Sequence, residues 1–365
     1  MPIKDNDISE QLQNNVKEAI NTKTPLFICG GRSKEFYGNP VDAKPLEVSP
    51  HTGVISYEPT ELCITVRAGT RLKDIEALLA EHQQILPFEP PTYSDNTTIG
   101  GAIAAGISGP RRAYTGSARD AILGVQMING EGEIVTFGGQ VMKNVAGYDL
   151  SRLMVRSLGT LGVLLNVSIR LLPKPSHDLT LSFSASQEQA LLYFQDLRVR
   201  QYPVTGSVWY EDQVSLRVSA SEKIIESTRK KIAAQDIVES LTENDTNDTF
   251  WQDIRDHKHA FFNQNDKPLW RFSLPPASEM LSRIDDNLLI EWGGAQRWAH
   301  SRTPANIIHS IAHSRRGFAT SFRYGEPGTA KFPALETTVL ELHKRLKTKM
   351  DPHNIFNPNR MYEGL

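Results

Sequence analysis

Apolar and polar positions follow two periods along the first half of the chain. In "TRLKDIEALLAEHQQ", residues 70–84, Leu72, Ile75, Leu78 and Leu79 have the i, i+3, i+6, i+7 spacing of one buried helical face. Thr70 stands where that helix needs its N-cap. Residues 8–22 predict an earlier helix. Short apolar or alternating runs, "PLFICGG", "GVISYEP" and "CITVRAG", predict strands. "ILGVQMINGEGEIVTFGG" predicts a hairpin, two alternating strands about the turn signal "NGEGE". "SRLMVRSLGTLGVLLNVSIRLLPKP" predicts a helix, a glycine turn and a strand that stops at Pro173.

The pattern changes after "PKPSHD", residues 173–178, which reads as a domain joint. "LTLSFSAS", "QEQALLYFQDLRVR", "TGSVWYE", "QVSLRVSAS", "EKIIESTRKKIAAQ" and "DIVES" predict strand–helix–strand–strand–helix–strand. From about residue 268 a similar order recurs in "LWRFSLP", "ASEMLSRI", "NLLIEWG", "AQRWAHS", "PANIIHSIAHS" and "GFATSFRYG". Two split βαβ units sharing one antiparallel sheet follow, and the fold class is α+β. "NDTFWQDIRDHKHAFF" between them predicts a helix, and the chain closes with a helix broken by Pro352 and a proline-punctuated tail.

"TIGGAIAAGISGP", residues 98–110, fits neither period, with four glycines and three alanines in thirteen positions. Each glycine disfavours a helix by about 1 kcal/mol relative to alanine, strands avoid it too, and a linker would be polar. The run therefore predicts a backbone pressed closely by something else. "ICGGRSK" and "LGTLGV" are further glycine-bearing turns. Consecutive amides in such turns form concave nests for anionic oxygens, and a wall without side chains suits a flat ring. Neither GxGxxG nor GxxxxGK[ST] is present, so Rossmann and Walker nucleotide sites have no support.

Composition narrows the picture. At 365 residues two domains are expected, and a net charge of −2 gives no general attraction to nucleic acid. The polar start and the shortness of every apolar run predict a cytoplasmic chain that meets the inner membrane only through partners. The two cysteines, Cys29 and Cys63, form no CxxC pair and lie on expected buried strands, which excludes a cysteine-held iron–sulfur cluster or zinc. His309 and His313 share a helical face with no third ligand, so no metal site is expected.

Taken in order, residues 20–175 resemble the FAD-binding domain of the p-cresol methylhydroxylase and vanillyl-alcohol oxidase family. "GGRSK" stands at that family's pyrophosphate loop, and "TIGGAIAAGISG" where its backbone runs beside the flavin. "KNVAGYDLSRLMVRSLGTLGV" and the tail "LKTKMDPHNIFNPNRMY" resemble the branch that oxidises 2-hydroxy acids. Within the branch, "YEPTEL", "PFEPP", "SGPRRAYTGSARDAILG" and "GGAQRWAH" are similar to the FAD-binding subunits of bacterial glycolate oxidases. The resemblance implies an FAD-binding domain over 1–175, a cap of ferredoxin-like units on an antiparallel sheet over 176–330, and a helix and tail over 331–365 returning to the first domain. It implies that Gly30, Gly31 and Ser33 cradle the pyrophosphate. Pro91, Thr98, Gly100, Gly101 and Gly106 would line the flavin, with Gly162 and Val163 reaching it by backbone. "GGRSKEF" holds no histidine, so FAD is expected without a covalent bond. The implied partners are a second FAD-containing subunit, an iron–sulfur subunit and a small 2-hydroxy acid.

Oxidising such an acid requires a cation for the carboxylate, a base for the hydroxyl proton and an α-hydrogen aimed at the flavin. Larger relatives in the branch use a histidine-rich "HGxG" stretch, whereas here the nearest segment is "YGEPGTAKF". The candidates are Arg271, alternating with Trp270 and Phe272, and Arg297 and His300 after a glycine turn. The leading expectation is oxidation of glycolate to glyoxylate, with hydride passing to flavin and electrons passing to partners. The alternative is a non-catalytic electron-transfer or assembly subunit. A stand-alone flavin reductase is the remoter one, against which "KNVAGYDL" argues.

Overall fold

The structure, a computed structural model, describes residues 3–139, 149–244, 249–264, 266–281, 284, 287–325 and 330–365. Most of "KNVAGYDL" and the middle of "YGEPGTAKF" lie outside the described residues. The chain forms two compact units, one of residues 1–108, 116–174 and 334–365, the other of 109–115 and 175–333. The short segment 109–115, "GPRRAYT", thus packs with the second unit rather than with the first domain of the sequence expectation.

In the first unit, helix α1 (Ser9–Thr22) buries Leu12, Val16 and Ala19. Strands β1 (Leu26–Cys29) and β2 (Lys44–Glu47) pair in parallel. A five-stranded sheet follows, built from β3 (Val54–Glu58), β4 (Cys63–Arg67), β5 (Ile122–Ile128), β6 (Ile134–Gly138) and β7 (Val163–Arg170). Its order is β3-β4-β7-β5-β6, and every pairing in it is antiparallel. The hairpin turn forms as its sequence predicts, with Asn129 Oδ1 accepting from the amides of Glu131 and Glu133. Helix α2 (Leu72–Glu81) buries Leu72, Ile75 and Leu79. Thr70 is not its cap: the helix starts two residues on, and the buried Thr70 hydroxyl instead bridges the amide and carbonyl of Gly53.

The glycine run is a helix after all, α3 (Ile99–Ala105). Tertiary contact overrides propensity here. Thr98 Oγ1 accepts from the Gly101 amide, Gly106 at φ +61° closes the C-terminus, and Ile99 and Ile103 are fully buried. The small residues permit close approach to Ala68, the residue that follows β4, since a Cβ on Gly100 would lie 2.7 Å from Ala68 Cβ and 2.8 Å from its carbonyl oxygen.

The C-terminal helix Thr337–Met350 ends at Asp351, whose carboxylate accepts from the Ile355 and Phe356 amides and from Lys347 Nζ. The tail then runs beside β1, with a parallel bridge between Leu26 and Phe356.

The second unit carries the expected ferredoxin-like halves on one eight-stranded sheet among the described residues. The first half is β8 (His177–Ser184), α4 (Gln187–Arg200), β9 (Val204–Tyr210), β10 (Gln213–Ala220), α5 (Glu222–Ala233) and β11 (Thr242–Asn244). After helix α6 (Phe250–Asp256), the second is β12 (Leu269–Ser273), β13 (Leu288–Glu291), β14 (Gln296–His300), α7 (Ala305–Ser314) and β15 (Phe318–Arg323). The order β11-β8-β10-β9-β13-β14-β12-β15 places the halves side by side, joined through Val208–Glu291 and Trp209–Ile290. Two local expectations fail. "DIVES" is a turn that buries Val238, and the strand begins at Thr242. "ASEMLSRI" is not helical over its described residues 277–281, because the Arg297 guanidinium takes the carbonyls of Ser278 and Glu279 that a helix would need. No helix among the described residues is long and apolar enough to cross a membrane.

Candidate functional site

Strand β1 ends in a sharp turn through Gly30, Gly31, Arg32 and Ser33, with Arg32 in the left-handed region at φ +54°. Among the described residues, the amides of these four donate no hydrogen bond. Such a run of open amides is an anion nest. Neither glycine tolerates a side chain: a Cβ on Gly31 would fall 1.5 Å from the Asn96 carbonyl oxygen, and one on Gly30 would fall 2.4 Å from Thr98 Oγ1. Arg32 turns its own charge outward, to Glu47 at 2.7 Å and Glu35 at 3.5 Å.

The nest opens on a cleft inside the first unit. Its wall is small and apolar, including Ala68, Ala104, Ala105 and Leu158. A second, polar hollow of about 600 Å³ shares Gly30, Gly31, Arg32 and Thr98 with it and is bounded by Lys4, Arg71, Asp74 and Asn96. The nest therefore lies where an apolar lobe and a polar lobe meet. A Cβ on Gly101 would meet only Thr98 Oγ1 within 4 Å, at 3.2 Å, so this glycine keeps space open rather than serving packing. Ser157 Oγ is buried on the cleft wall with no hydrogen-bond partner among the described residues. Cys29 also lines the cleft, its thiol pushed up to about 12 by burial and so kept protonated.

The structure brings Gly30, Gly31, Ser33, Thr98, Gly100, Gly101 and Gly162 of the sequence-derived set to this cleft. Pro91, Gly106 and Val163 are not on its wall. Gly106 caps α3 against Arg156, and Val163 is fully buried at the start of β7. Residues the sequence reading missed are Lys34, Ser157, Asn357 and Arg360. Lys34 is nearly buried, with its ammonium 5.4 Å from the Tyr93 ring centre. Asn357 Oδ1 accepts from the Ile28 amide at 2.7 Å, and its Nδ2 donates to the Leu158 carbonyl at 2.6 Å. The available signal was "NPNR", a polar run set among prolines in the tail.

The three catalytic candidates lie in the second unit. Arg297 is fully buried, and its guanidinium donates to the carbonyls of Gly294, Ser278 and Glu279. Burial holds it down to about 10. His300 is also fully buried, with Nε2 2.9 Å from the Phe261 carbonyl oxygen, and burial lowers its pKa. Both side chains are engaged by their own unit's backbone. Arg271 is part-exposed, donating to Gln296 Oε1 at 2.6 Å with its guanidinium 5.3 Å from the Trp292 ring centre and 5.7 Å from that of Trp298. Gln296 and Trp298 both bond the buried Glu291.

The open amides suit a diphosphate, and the small apolar wall beside Gly101 suits a flat ring, two parts of a flavin dinucleotide. The nest would take the diphosphate, Gly101 leaves room for a ring, and Ser157 offers a buried hydroxyl. Residues 8–138 match the FAD binding domain family. The chain is 41% identical over 359 residues to the glycolate oxidase subunit GlcE of Escherichia coli (strain K12), covering 98% of this chain and 99% of that one. It is 34% identical over 128 residues to the glycolate oxidase subunit GlcD of Bacillus subtilis (strain 168), 35% of this chain and 27% of that protein. A D-lactate dehydrogenase of Archaeoglobus fulgidus is 32% identical over 174 residues, 46% of this chain and 37% of that enzyme. Among solved structures, an alkyldihydroxyacetonephosphate synthase shares the fold, with TM-score 0.66 at 14% identity over 96% of this chain and 75% of that one.

Proposed function

Because the chain belongs to the family of FAD-binding oxidoreductases that includes the glycolate oxidase subunit GlcE, we propose that it is the FAD-bearing subunit of a multi-subunit enzyme oxidising glycolate, or a close 2-hydroxy acid, to its keto product. The observation that carries the reading is the nest of four open amides at the junction of an apolar and a polar lobe. Bound FAD supplies the two-electron acceptor for the hydride of the substrate's α-carbon. The chain's residues hold and shield that acceptor. Gly30, Gly31, Arg32 and Ser33 present amides to the diphosphate, Thr98 fixes the start of α3, and Gly101 leaves the ring its space. No histidine stands in "GGRSKEF", and the Cys29 thiol is held protonated, so FAD is retained without a covalent bond. Acid precipitation should release all of the flavin, and fluorescence left on the polypeptide would refute that point.

In this reading electrons leave through other chains: the two unpaired, buried cysteines provide no ligand set for an iron–sulfur relay, and the similarity to one subunit of a glycolate oxidase supports partners. The partners are a second flavin subunit and an iron–sulfur subunit, which keep the chain cytoplasmic or bring it to the inner membrane. A second reading has the partner oxidise the substrate while this chain carries electrons or supports assembly. The engagement of Arg297 and His300 with backbone carbonyls favours it, and leaves Arg271 as the candidate for the substrate carboxylate. Anaerobic mixing of the purified, FAD-loaded chain with glycolate separates the two. Bleaching of its flavin by glycolate alone places the oxidation here, and bleaching only when the partner flavin subunit is added places it there. A chain that retains no FAD would sink both.

A further inference from the structure

The tail that closes the first unit carries a buried charge without a carboxylate of its own. Arg360 is only 5% exposed, and its guanidinium donates to the carbonyls of Asn39, Glu35 (2.9 Å) and Tyr37 (2.8 Å). Among the described residues no carboxylate pairs with it, whereas the similarly buried Lys347 has Asp351 at 2.7 Å. The acidic group that acts on it, Glu35, stands beyond ion-pair distance and is exposed beside Arg32. Carbonyl dipoles offset part of the desolvation cost of a buried guanidinium, but they leave its net charge in place.

That charge sits on the wall of the cofactor cleft. The three carbonyls that hold it belong to residues 35–39, which continue directly from the nest at 30–33. Open amides at the start of this loop and a guanidinium behind it give one stretch of wall a positive potential, strengthened by its partly dry surroundings. Asn357 fixes the tail against β1 on one side and Leu158 on the other, so the position of Arg360 is set by the fold.

We propose that Arg360 is the counter-charge to the cofactor's diphosphate, which makes the C-terminal tail part of the FAD site. The inference rests on FAD as the cofactor and is independent of which acid the complex oxidises. It is tested on the full-length chain stripped of flavin, by calorimetric titration with ADP, which carries the diphosphate without the ring, and with adenosine as the uncharged control.

Arg360→Met should weaken ADP and FAD binding by at least tenfold and leave adenosine unchanged. Arg360→Lys, which keeps the charge and loses the fork onto three carbonyls, should bind ADP within about threefold of wild type even if its melting temperature drops. Wild-type ADP affinity should fall with added salt more steeply than that of Arg360→Met. Unchanged ADP binding by a folded Arg360→Met overturns the proposal. So does weakened FAD with unaltered ADP, which would aim the charge at the ring. If Arg360→Met does not fold, Arg360→Lys decides alone, and loss of ADP binding in that variant overturns the proposal.

Discussion

Gly100 and Gly101 are neighbours in one helix and answer to different constraints. A Cβ on Gly100 would run into Ala68, side chain and carbonyl alike, so this glycine serves the close approach of α3 to that residue. A Cβ on Gly101 would meet only the Thr98 hydroxyl, so this one serves the cleft. Gly101→Val should therefore abolish FAD retention while the flavin-free chain melts no lower than wild type, since valine is the better helix former by a few tenths of a kcal/mol. Gly100→Ala should do the reverse of that separation, lowering the stability of the flavin-free chain by about 1–3 kcal/mol through overpacking. Thermal melts with and without added FAD, read beside flavin content, check both. If Gly101→Val purifies with full flavin, the ring does not lie against α3. The sequence showed that something presses on this backbone. It could not show that two different neighbours do, because that depends on Ala68 lying behind the helix.

At the scale of elements, the C-terminal helix and tail act as one clasp on β1. Lys347 Nζ is buried with the carbonyls of Thr160 and Phe356, and Asp351 both neutralises it and caps the turn that delivers Phe356 to Leu26. Burial drives the Lys347 pKa down, and Asp351 opposes the shift. Asp351→Asn leaves that ammonium buried without a counter-charge, an effect worth roughly 3–5 kcal/mol in such pairs. The expected outcome is a lower melting temperature together with faster loss of FAD, because Asn357 and Arg360 follow in the same clasp; denaturant titration and flavin release rates measure the two effects. A stability loss with no change in flavin release would separate the tail from the cleft. Elements carried by their own periodicity, such as α2 or the β5–β6 hairpin, were legible in the sequence. Those decided by distant groups were not. The "ASEMLSRI" helix is displaced by Arg297, the Thr98–Gly106 helix is packed closely on Ala68, and the tail's share of the cleft depends on contacts more than 300 residues apart in the chain.

On the scale of the whole molecule, buried histidines set its response to acid. His51, His257 and His300 are buried, and burial lowers the pKa of each below its ordinary value near 6.5. Below about pH 6.5 the unfolded chain binds protons that the folded chain excludes, so stability is complete above that pH and falls as pH drops toward the folded values. Each such ring contributes a slope of at most about 1.4 kcal/mol per pH unit. Melting curves from pH 7.5 down to 5 should show this decline, and His257→Gln should make it shallower by about one proton; a flat profile would contradict it. The proposed place in a multi-subunit enzyme is supported by the 41% identity to a glycolate oxidase subunit over 98% of this chain; the two thiols are buried, and no group of three or more metal-ligating side chains lies among the described residues. The large aromatics Trp251, Phe261, Phe262 and Trp270 are all buried within the second unit and so offer no exposed docking face. Under the proposed function, chain isolated from its native cell under mild conditions should bring a second flavoprotein and an iron–sulfur protein with it. Removing either should stop glycolate-dependent reduction of a quinone while leaving FAD bound to this chain. A lone chain that reduces quinone with glycolate at the rate of the intact assembly would refute the need for partners.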